Sequence, residues 1–464
     1  MSPKKLIALT AVVAVLFAFI VFFERKMPTT AERERKGDLY WDIPSDRVDR
    51  ITLTRGAEKL EFQRADATHW KMTLPQKYPA ESFVVSSLAT DLAAMKRSGD
   101  EAPDAKPADY ALDKPVATAS FEWTEADDPN PKARKTRTVE FGAEVPGTDM
   151  VSARLAHSDK VLFVPSSVLA SVKKNADDFL SKDVFGEPAS DVNRIEILRG
   201  RGRLVLIRKN GTWWLSEPLS DLADSQEADR LAGQLAALRA REFVRGGVDL
   251  AAQGLNPPLF HVAVTDAKGG TVAVDFGATK SDGSAMYAQR DGQVLVIDRE
   301  IVDDLSKEAV AFRSSRLVDF NRTDATALDG VFGKTTYALV QKDGGWTAGG
   351  HAILAPAADD VESALLDAQS KGFLDEAEAK GLGPAEATVT VKTKAELKAE
   401  PWVLTLYPRS GGAAARVSGR PGAFAVDPGL AARLEDAFRK ATSPPPTAAP
   451  TKAPEPTKGK PAKP

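Results

Sequence analysis

The chain has 464 residues, 43% of them hydrophobic, a formal net charge of -3 and no cysteine. That length exceeds one ordinary core and suits about three domains. The absent cysteines exclude disulfides, thiolate metal sites, cysteine nucleophiles and a thioether lipid anchor, and the near-neutral balance speaks against a duplex nucleic-acid binder, which needs a basic face to displace counterions.

Residues 6–23 read LIALTAVVAVLFAFIVFF, uncharged, between Lys4-Lys5 and Glu24-Arg25-Lys26. As a helix rising 1.5 Å per residue the run reaches about 27 Å, close to the roughly 30 Å hydrocarbon core, and it predicts a single transmembrane anchor. A cleaved signal peptide competes with this reading, but its apolar region is usually shorter and no small-x-small site follows Phe23. A short basic N-terminus is hard to translocate, so the expected placement is the cell (inner) membrane, N-terminus cytoplasmic and the bulk of the chain extracytoplasmic. Residues 28–45 read as a charged stalk.

Beyond the stalk one pattern recurs at a spacing of about 130 to 145 residues. Asp46-Arg47-Val48-Asp49-Arg50-Ile51-Thr52-Leu53 leads through a second alternating segment to Trp70. Asp191-Val192-Asn193-Arg194-Ile195-Glu196-Ile197-Leu198 leads through LVLIRKNGTWW to Trp214, and a weaker third copy runs from Ala327 through TTYALVQKDGGW to Trp346. Alternating apolar residues broken by Gly or Asp-Gly predict a β-hairpin followed by a Trp-bearing strand. A helix is expected next in each copy, at 82–97, 226–241 and 359–371; in the second, Ala228, Leu231, Leu235 and Leu238 recur at spacings of three and four. Turns at Leu112-Asp113-Lys114-Pro115, Leu255-Asn256-Pro257-Pro258 and Leu382-Gly383-Pro384 follow, since proline disfavours helix in the residue before it.

The second half of each copy is a run of strands: TVEFGAEV from Thr138, TVAVDFGA from Thr271, and VLFVP, VLVID and AFAVD after Arg154, Arg290 and Arg416. Short closing helices are expected at 167–174, 301–305 and 430–440. The fold expectation is therefore α+β: a transmembrane helix, then three tandem antiparallel-sheet modules with packed helices, the third degenerate. The domain order is anchor 1–27, stalk 28–45, modules 46–185, 186–318 and 319–441, and tail 442–464. The tail, SPPPTAAPTKAPEPTKGKPAKP from Ser443, reads as disordered and solubilising.

Chemistry-bearing motifs are sparse. The four histidines, His69, His157, His261 and His351, share no metal-binding spacing. Ser171-Val172-Lys173-Lys174 satisfies Ser-x-x-Lys, in which a lysine can deprotonate a serine, but no Ser-Asp-Asn or Lys-Thr-Gly partner accompanies it. The pairs Asp127-Asp128, Asp177-Asp178, Asp303-Asp304 and Asp359-Asp360 fall near loops or helix ends and read as helix-stabilising or solvated. Trp70, Trp214 and Trp346, recurring at one module position, are expected in the core, whereas Trp41 and Trp213 lack counterparts and are candidates for a contact surface. Arg154, Arg290 and Arg416 read as structural residues at strand edges. No catalytic residue, metal or cofactor is assigned.

The basic-flanked anchor ending in FFERK, the Trp-bearing hairpin before a helix and the Arg-then-VLFV strand pair resemble the bacterial family of domain of unknown function 4340, over most of the chain from Leu6 to about Lys440. The resemblance implies a membrane-anchored protein encoded beside ABC transporter parts of the kind linked to gliding motility, and carries over no catalytic residue. The functional expectation is a non-enzymatic envelope scaffold with the membrane and a transporter or other envelope complex as partners, and no nucleic acid. An envelope enzyme acting on glycan or peptide, or an anchored ligand-capture domain, are the alternatives.

Overall fold

The computed structural model describes residues 38–99, 105–125, 133–186 and 188–443. The expected anchor, most of the stalk, Asp127-Asp128 and the Pro-rich tail lie outside the described residues. Among the described residues no helix is long and apolar enough to cross a membrane.

Three antiparallel sheets follow one another along the chain. The first contains β1 (Val48–Arg55), β2 (Glu58–Arg64), β3 (Trp70–Leu74), β4 (Tyr78–Pro79), β5 (Ala117–Trp123), β6 (Lys135–Glu144), β7 (Met150–Leu155) and β8 (Leu162–Pro165), in the order β4-β3-β2-β1-β5-β6-β7-β8. The second contains β9 (Val192–Arg199), β10 (Gly202–Lys209), β11 (Thr212–Glu217), β12 (Asp221–Leu222), β13 (Ala240–Phe243), β14 (Phe260–Asp266), β15 (Thr271–Thr279), β16 (Ala285–Arg290) and β17 (Gln293–Asp298), ordered β12-β11-β10-β9-β14-β15-β16-β17-β13. The third repeats that order with β18 (Ala325–Phe332), β19 (Thr335–Lys342), β20 (Gly345–Ala348), β21 (His351–Ala352), β22 (Ser370–Phe373), β23 (Ala387–Thr393), β24 (Trp402–Arg409), β25 (Gly412–Val417) and β26 (Phe424–Val426).

Alternation drives these strands. In β1, Val48, Ile51 and Leu53 are buried while their neighbours are not, so one face can meet a core. The first hairpin of every sheet turns through a glycine with positive φ, Gly56, Gly200 and Gly333 at 57°, 55° and 56°, a conformation that side chains with a Cβ resist.

Each sheet carries one longer helix: α1 (Ser82–Ala93), α3 (Ser225–Ala237) and α5 (Ala355–Leu366). Short closing helices are α2 (Ser166–Val172) and α4 (Ile301–Leu305); α6 (Glu376–Lys380) belongs to the third sheet, and α7 (Leu430–Thr442) ends the described chain. Helix, 3-10 turns included, makes up 23% of the described residues, so the architecture is mostly β and the α+β expectation overstates its helices. The expected helix at 226–241 stops at Ala237, because Ala240 and Phe243 turn inward on a strand, β13, that pairs with β17. Lys371 likewise lies in β22, and α5 begins ahead of the expected 359 because Pro356 fits a first helical turn. Asp359 and Asp360 therefore sit within a helix, exposed, and not at its end.

The start of the described chain is no free stalk. Leu39 bridges Lys96, Tyr40 N–H donates to Met95 O at 2.9 Å and Arg97 N–H to Asp38 O at 2.7 Å. The same three-residue pairing recurs where Asp183 bridges Arg239 and where Arg316 bridges Gln369.

The described residues divide into two compact units, those of 38–184 with Leu238–Pro257 and Val274–Arg299, and those of 185–237 with Pro258–Ala273 and 300–443. In the first unit, the Leu-x-x-Pro turns dock on glycines. A Cβ on Gly142 would lie 2.1 Å from Tyr110 O, and one on Gly277 would lie 2.3 Å from Gln253 O, with Leu112 and Leu255 alongside. In the second unit Tyr407 stands where those glycines stand, by the register Ala387 to Leu406 against Ala117 to Phe141, and Leu382 is only half-buried.

Gly142→Ala and Gly277→Ala are each expected to destabilise by about 1–3 kcal/mol through overpacking, whereas Gly233→Ala, inside α3 with open space at its Cβ, should stabilise by about 0.5–1 kcal/mol. Melting curves of the three variants check the contrast; equal shifts would contradict the docking argument.

Candidate functional site

Alternation also decides the tryptophans. Trp70 faces Arg64 across the hairpin, Trp213 faces Arg208 and Trp346 faces Gln341. Trp213, and not Trp214, is thus the repeated core residue: it is 1% exposed, its Nε1 donates to Asp229 Oδ1 at 2.7 Å and Arg208 stacks over its ring. The expectation that Trp213 forms a contact surface is corrected, because adjacent residues on a strand face opposite sides and a one-residue slip exchanges them. Trp214 stacks on Trp402 with ring centroids 5.9 Å apart. Trp41, the other contact candidate, is half-buried; its Nε1 donates to Leu92 O at 2.8 Å and Arg137 lies 4.7 Å above its ring. Burial holds the Arg137 pKa below its ordinary value.

The remaining candidates stay apart. His69 pairs with Asp66 in an exposed turn, His157 sits at a positive φ, His261 lies in β14 and His351 in β21. Among the described residues no group of histidines and carboxylates could hold a metal ion. Ser171 is half-buried on α2 and Lys174 lies exposed beyond it. Asp178 caps the turn begun by Asn175, and Asp177 accepts from Arg245 Nε at 2.8 Å.

Charge gathers where one sheet's linker meets the next. In the first unit, Ala80 bridges Leu180, and Arg290, 9% exposed, donates to Val184 O at 2.7 Å and Asp183 O at 3.3 Å. Its guanidinium lies 5.7 Å from the Tyr78 ring, and burial pushes the Tyr78 hydroxyl up to about 12. In the second unit, Ala223 bridges Arg313, and Arg420, 6% exposed, donates to Ser314 O at 2.9 Å, to Leu317 O at 3.2 Å and to Arg316 O. The fully buried Asp221 receives Arg420 Nε and Arg313 Nε, both at 2.5 Å. Burial lowers the Arg420 pKa, against the pull of Asp221.

Arg290 and Arg420 do the same work from different backbone positions. Ala288 with Leu295 and Ala415 with Phe424 fix the register, which places Val417 opposite Arg290 and leaves Arg420 in the longer turn beyond. The spacing-matched Arg416 is exposed and donates to Ala379 O at 2.7 Å. Arg154 pairs across the strands with Glu140 at 2.6 Å.

Beside the first linker lies a cleft of about 380 Å³, lined by Gln76, Gln289, Gln293 and Arg245 with Val244, Gly246, Val248 and Leu250. Gln293 is buried, its Nε2 donating to Val294 O at 2.6 Å and Val244 O at 3.1 Å while Gln76 Nε2 donates to its Oε1. Amides that both donate and accept suit a neutral polar ligand, and the volume falls in the range of small-molecule sites. Nothing in the sequence pattern marks Gln76 or Gln293, which lie 217 residues apart.

A third cluster joins α3 to α4 in the second unit. Arg230 bridges Glu227 at 2.8 Å and Asp304 at 2.5 Å, and Lys307 reaches Asp304 at 3.2 Å. Burial opposes ionisation of Asp304, but the bonds from Arg230 and Lys307 outweigh it and hold its pKa below the usual carboxylate value.

Asp221→Asn removes the negative partner from two buried guanidinium groups and should cost about 3–5 kcal/mol, while Arg416→Met should cost under about 1 kcal/mol. Denaturation midpoints of the two variants test the ranking. For Asp304, a depressed folded pKa means stability present above the unfolded value near 3.9 and lost as pH falls through the lower folded value. Asp304→Asn should therefore lose about 2 kcal/mol at pH 7 and show a flatter stability-pH curve below pH 4, measured by urea titration.

Residues 70–258 and 245–386 match, as two overlapping segments, the family described as a domain of unknown function (DUF4340). No curated protein matches the chain. The matched span, from the Trp70 strand through the first linker and its arginine to the strand that opens the second half of the third sheet, covers more than half of the sequence, and the chain belongs to the DUF4340 family.

Proposed function

We propose that this protein is a non-enzymatic scaffold of the cell envelope, anchored in the inner membrane by residues 6–23 with its N-terminus cytoplasmic, and that it serves as an accessory to an ABC-type transporter. The observation that carries the reading is the fate of the buried arginines. Arg290 and Arg420 are closed on linker carbonyls, where their charge fixes the linkers in place. Groups committed in this way hold a surface in shape. The anchor and the transporter association rest on the apolar run and on the family resemblance.

The cleft at Gln76 and Gln293 favours a second reading, ligand capture, since its amides are fixed before any ligand arrives. A glycoside hydrolase of the common kind uses two carboxylates facing each other across a cleft. The cleft is instead lined by amides, glycines, aliphatic side chains and Arg245.

Mild in-cell crosslinking of the native chain, followed by purification from membranes, is expected to recover a transporter subunit in stoichiometric yield. Recovery of the protein alone from the membrane fraction, or its release by alkaline washing, would count against the scaffold and the anchor respectively.

A further inference from the structure

The two linkers cover sheet edges, and among the described residues the third sheet has the same edge without a linker. In the first sheet Glu81 N–H donates to Phe179 O at 2.8 Å and Ser181 N–H to Pro79 O at 2.9 Å. In the second, Asp224 N–H donates to Phe312 O at 2.8 Å and Ser314 N–H to Leu222 O at 2.9 Å. The covering tripeptide is Phe179-Leu180-Ser181 in one case and Phe312-Arg313-Ser314 in the other, Phe-x-Ser both times. The third edge aligns through its Trp contact: Ile353 N–H donates to Trp346 O at 3.0 Å, as Ala80 does to Trp70 O and Ala223 to Trp213 O. Ala352 and Leu354 therefore stand where Pro79 and Glu81 stand.

Among the described residues no segment reaches them. Leu354 is 68% exposed, and His351 and Ala352 are exposed where Tyr78 and Asp221 are buried. The chain's closing helix does not turn toward this edge as α2 and α4 do toward theirs, but runs on as α7 to Thr442.

We infer that the edge Ala352–Ile353–Leu354 is a docking site for an extended segment of a partner polypeptide, which adds as an antiparallel strand through a Phe-x-Ser-like stretch. The carbonyl of its aromatic residue takes the Leu354 N–H, and the N–H two residues later donates to Ala352 O, as both internal linkers do. The chain's own continuation fits poorly, because residues 444–464 hold no aromatic residue and so no Phe-x-Ser-like stretch, and they open on Pro444-Pro445-Pro446, which supplies no N–H. A second copy fits poorly too: the linker-like stretch ahead of Leu39 carries Arg35 at the position of Phe179 and Phe312. The inference rests on the scaffold reading only in supposing a partner, and its test uses no transporter, so failure here leaves the crosslinking result standing.

The probe is a fluorescent peptide of residues 176–184, ADDFLSKDV, added to the purified full chain in detergent. Saturable binding is expected, with new hydrogen-exchange protection at Leu354 and no response to a scrambled peptide. Leu354→Pro deletes that N–H at a residue whose φ of -68° already suits proline, and should weaken binding at least tenfold. Absence of saturable binding, or binding without protection at Leu354 in the unaltered chain, overturns the proposal whatever the variant does. So does protection at Leu354 before peptide is added, whether removing residues 444–464 abolishes it, which assigns the edge to the tail, or dilution does, which assigns it to a second copy.

Discussion

A main-chain group at a sheet edge, once removed from water, must find a partner or cost about 1–3 kcal/mol. The linkers of this protein satisfy that demand twice, pairing Leu180 with Ala80 and Arg313 with Ala223. Covering the edge creates a second demand, because carbonyls farther along each linker, at Asp183 and Val184 and at Ser314, Arg316 and Leu317, then need partners of their own. Arg290 and Arg420 meet it with a guanidinium, whose five N–H groups can serve several carbonyls at once.

The two linkers balance their charge differently. Tyr78 of the first edge corresponds to Asp221 of the second, and Leu180 to Arg313. Arg290 lies 5.7 Å over the Tyr78 ring and pairs with Asp291 at 3.3 Å, whereas Arg420 lies 4.4 Å over Phe424 and shares Asp221 with Arg313. Arg313 adds a ring contact of its own, 3.6 Å over Phe373. Tyr78 and Leu180 thus give way together to Asp221 and Arg313, a coupling that neither position reveals alone.

Much of the fold was legible because the sequence repeats itself and alternates. Val48, Ile51 and Leu53 announce a strand, and the same spacing in Val192, Ile195 and Ile197 announces its copy. The adjacent tryptophans defeated that reading by a single residue, since either Trp213 or Trp214 satisfies a search for one Trp after a hairpin, and only the facing of the strand distinguishes them. The charged linkers were opaque for a different reason. Arg416 stands before an apolar strand as Arg154 and Arg290 do, but the role passes to Arg420, four residues on, because a longer turn delivers the guanidinium to the corresponding carbonyls from another backbone position. Asp221 meets Arg420 across 199 residues, a contact that no local pattern encodes.

The divergence of the third copy follows from one position at the first hairpin turn. Arg55 and Arg199 end β1 and β9, and each donates to carbonyls just past a short closing helix, Arg55 to Lys174 O and Arg199 to Ser306 O at 2.6 Å. Those bonds satisfy carbonyls left open when a helix stops, which permits α2 and α4 to end early and the chain to turn toward the sheet edge. At the same place β18 ends in Phe332. With an aromatic ring in place of the donor, α7 runs on, and Phe438 packs 5.9 Å from both Phe332 and Tyr337. The helix that in the other copies gives way to a linker packs on its own sheet, so the residue that seals the third core also leaves the β21 edge, among the described residues, without the cover its counterparts have.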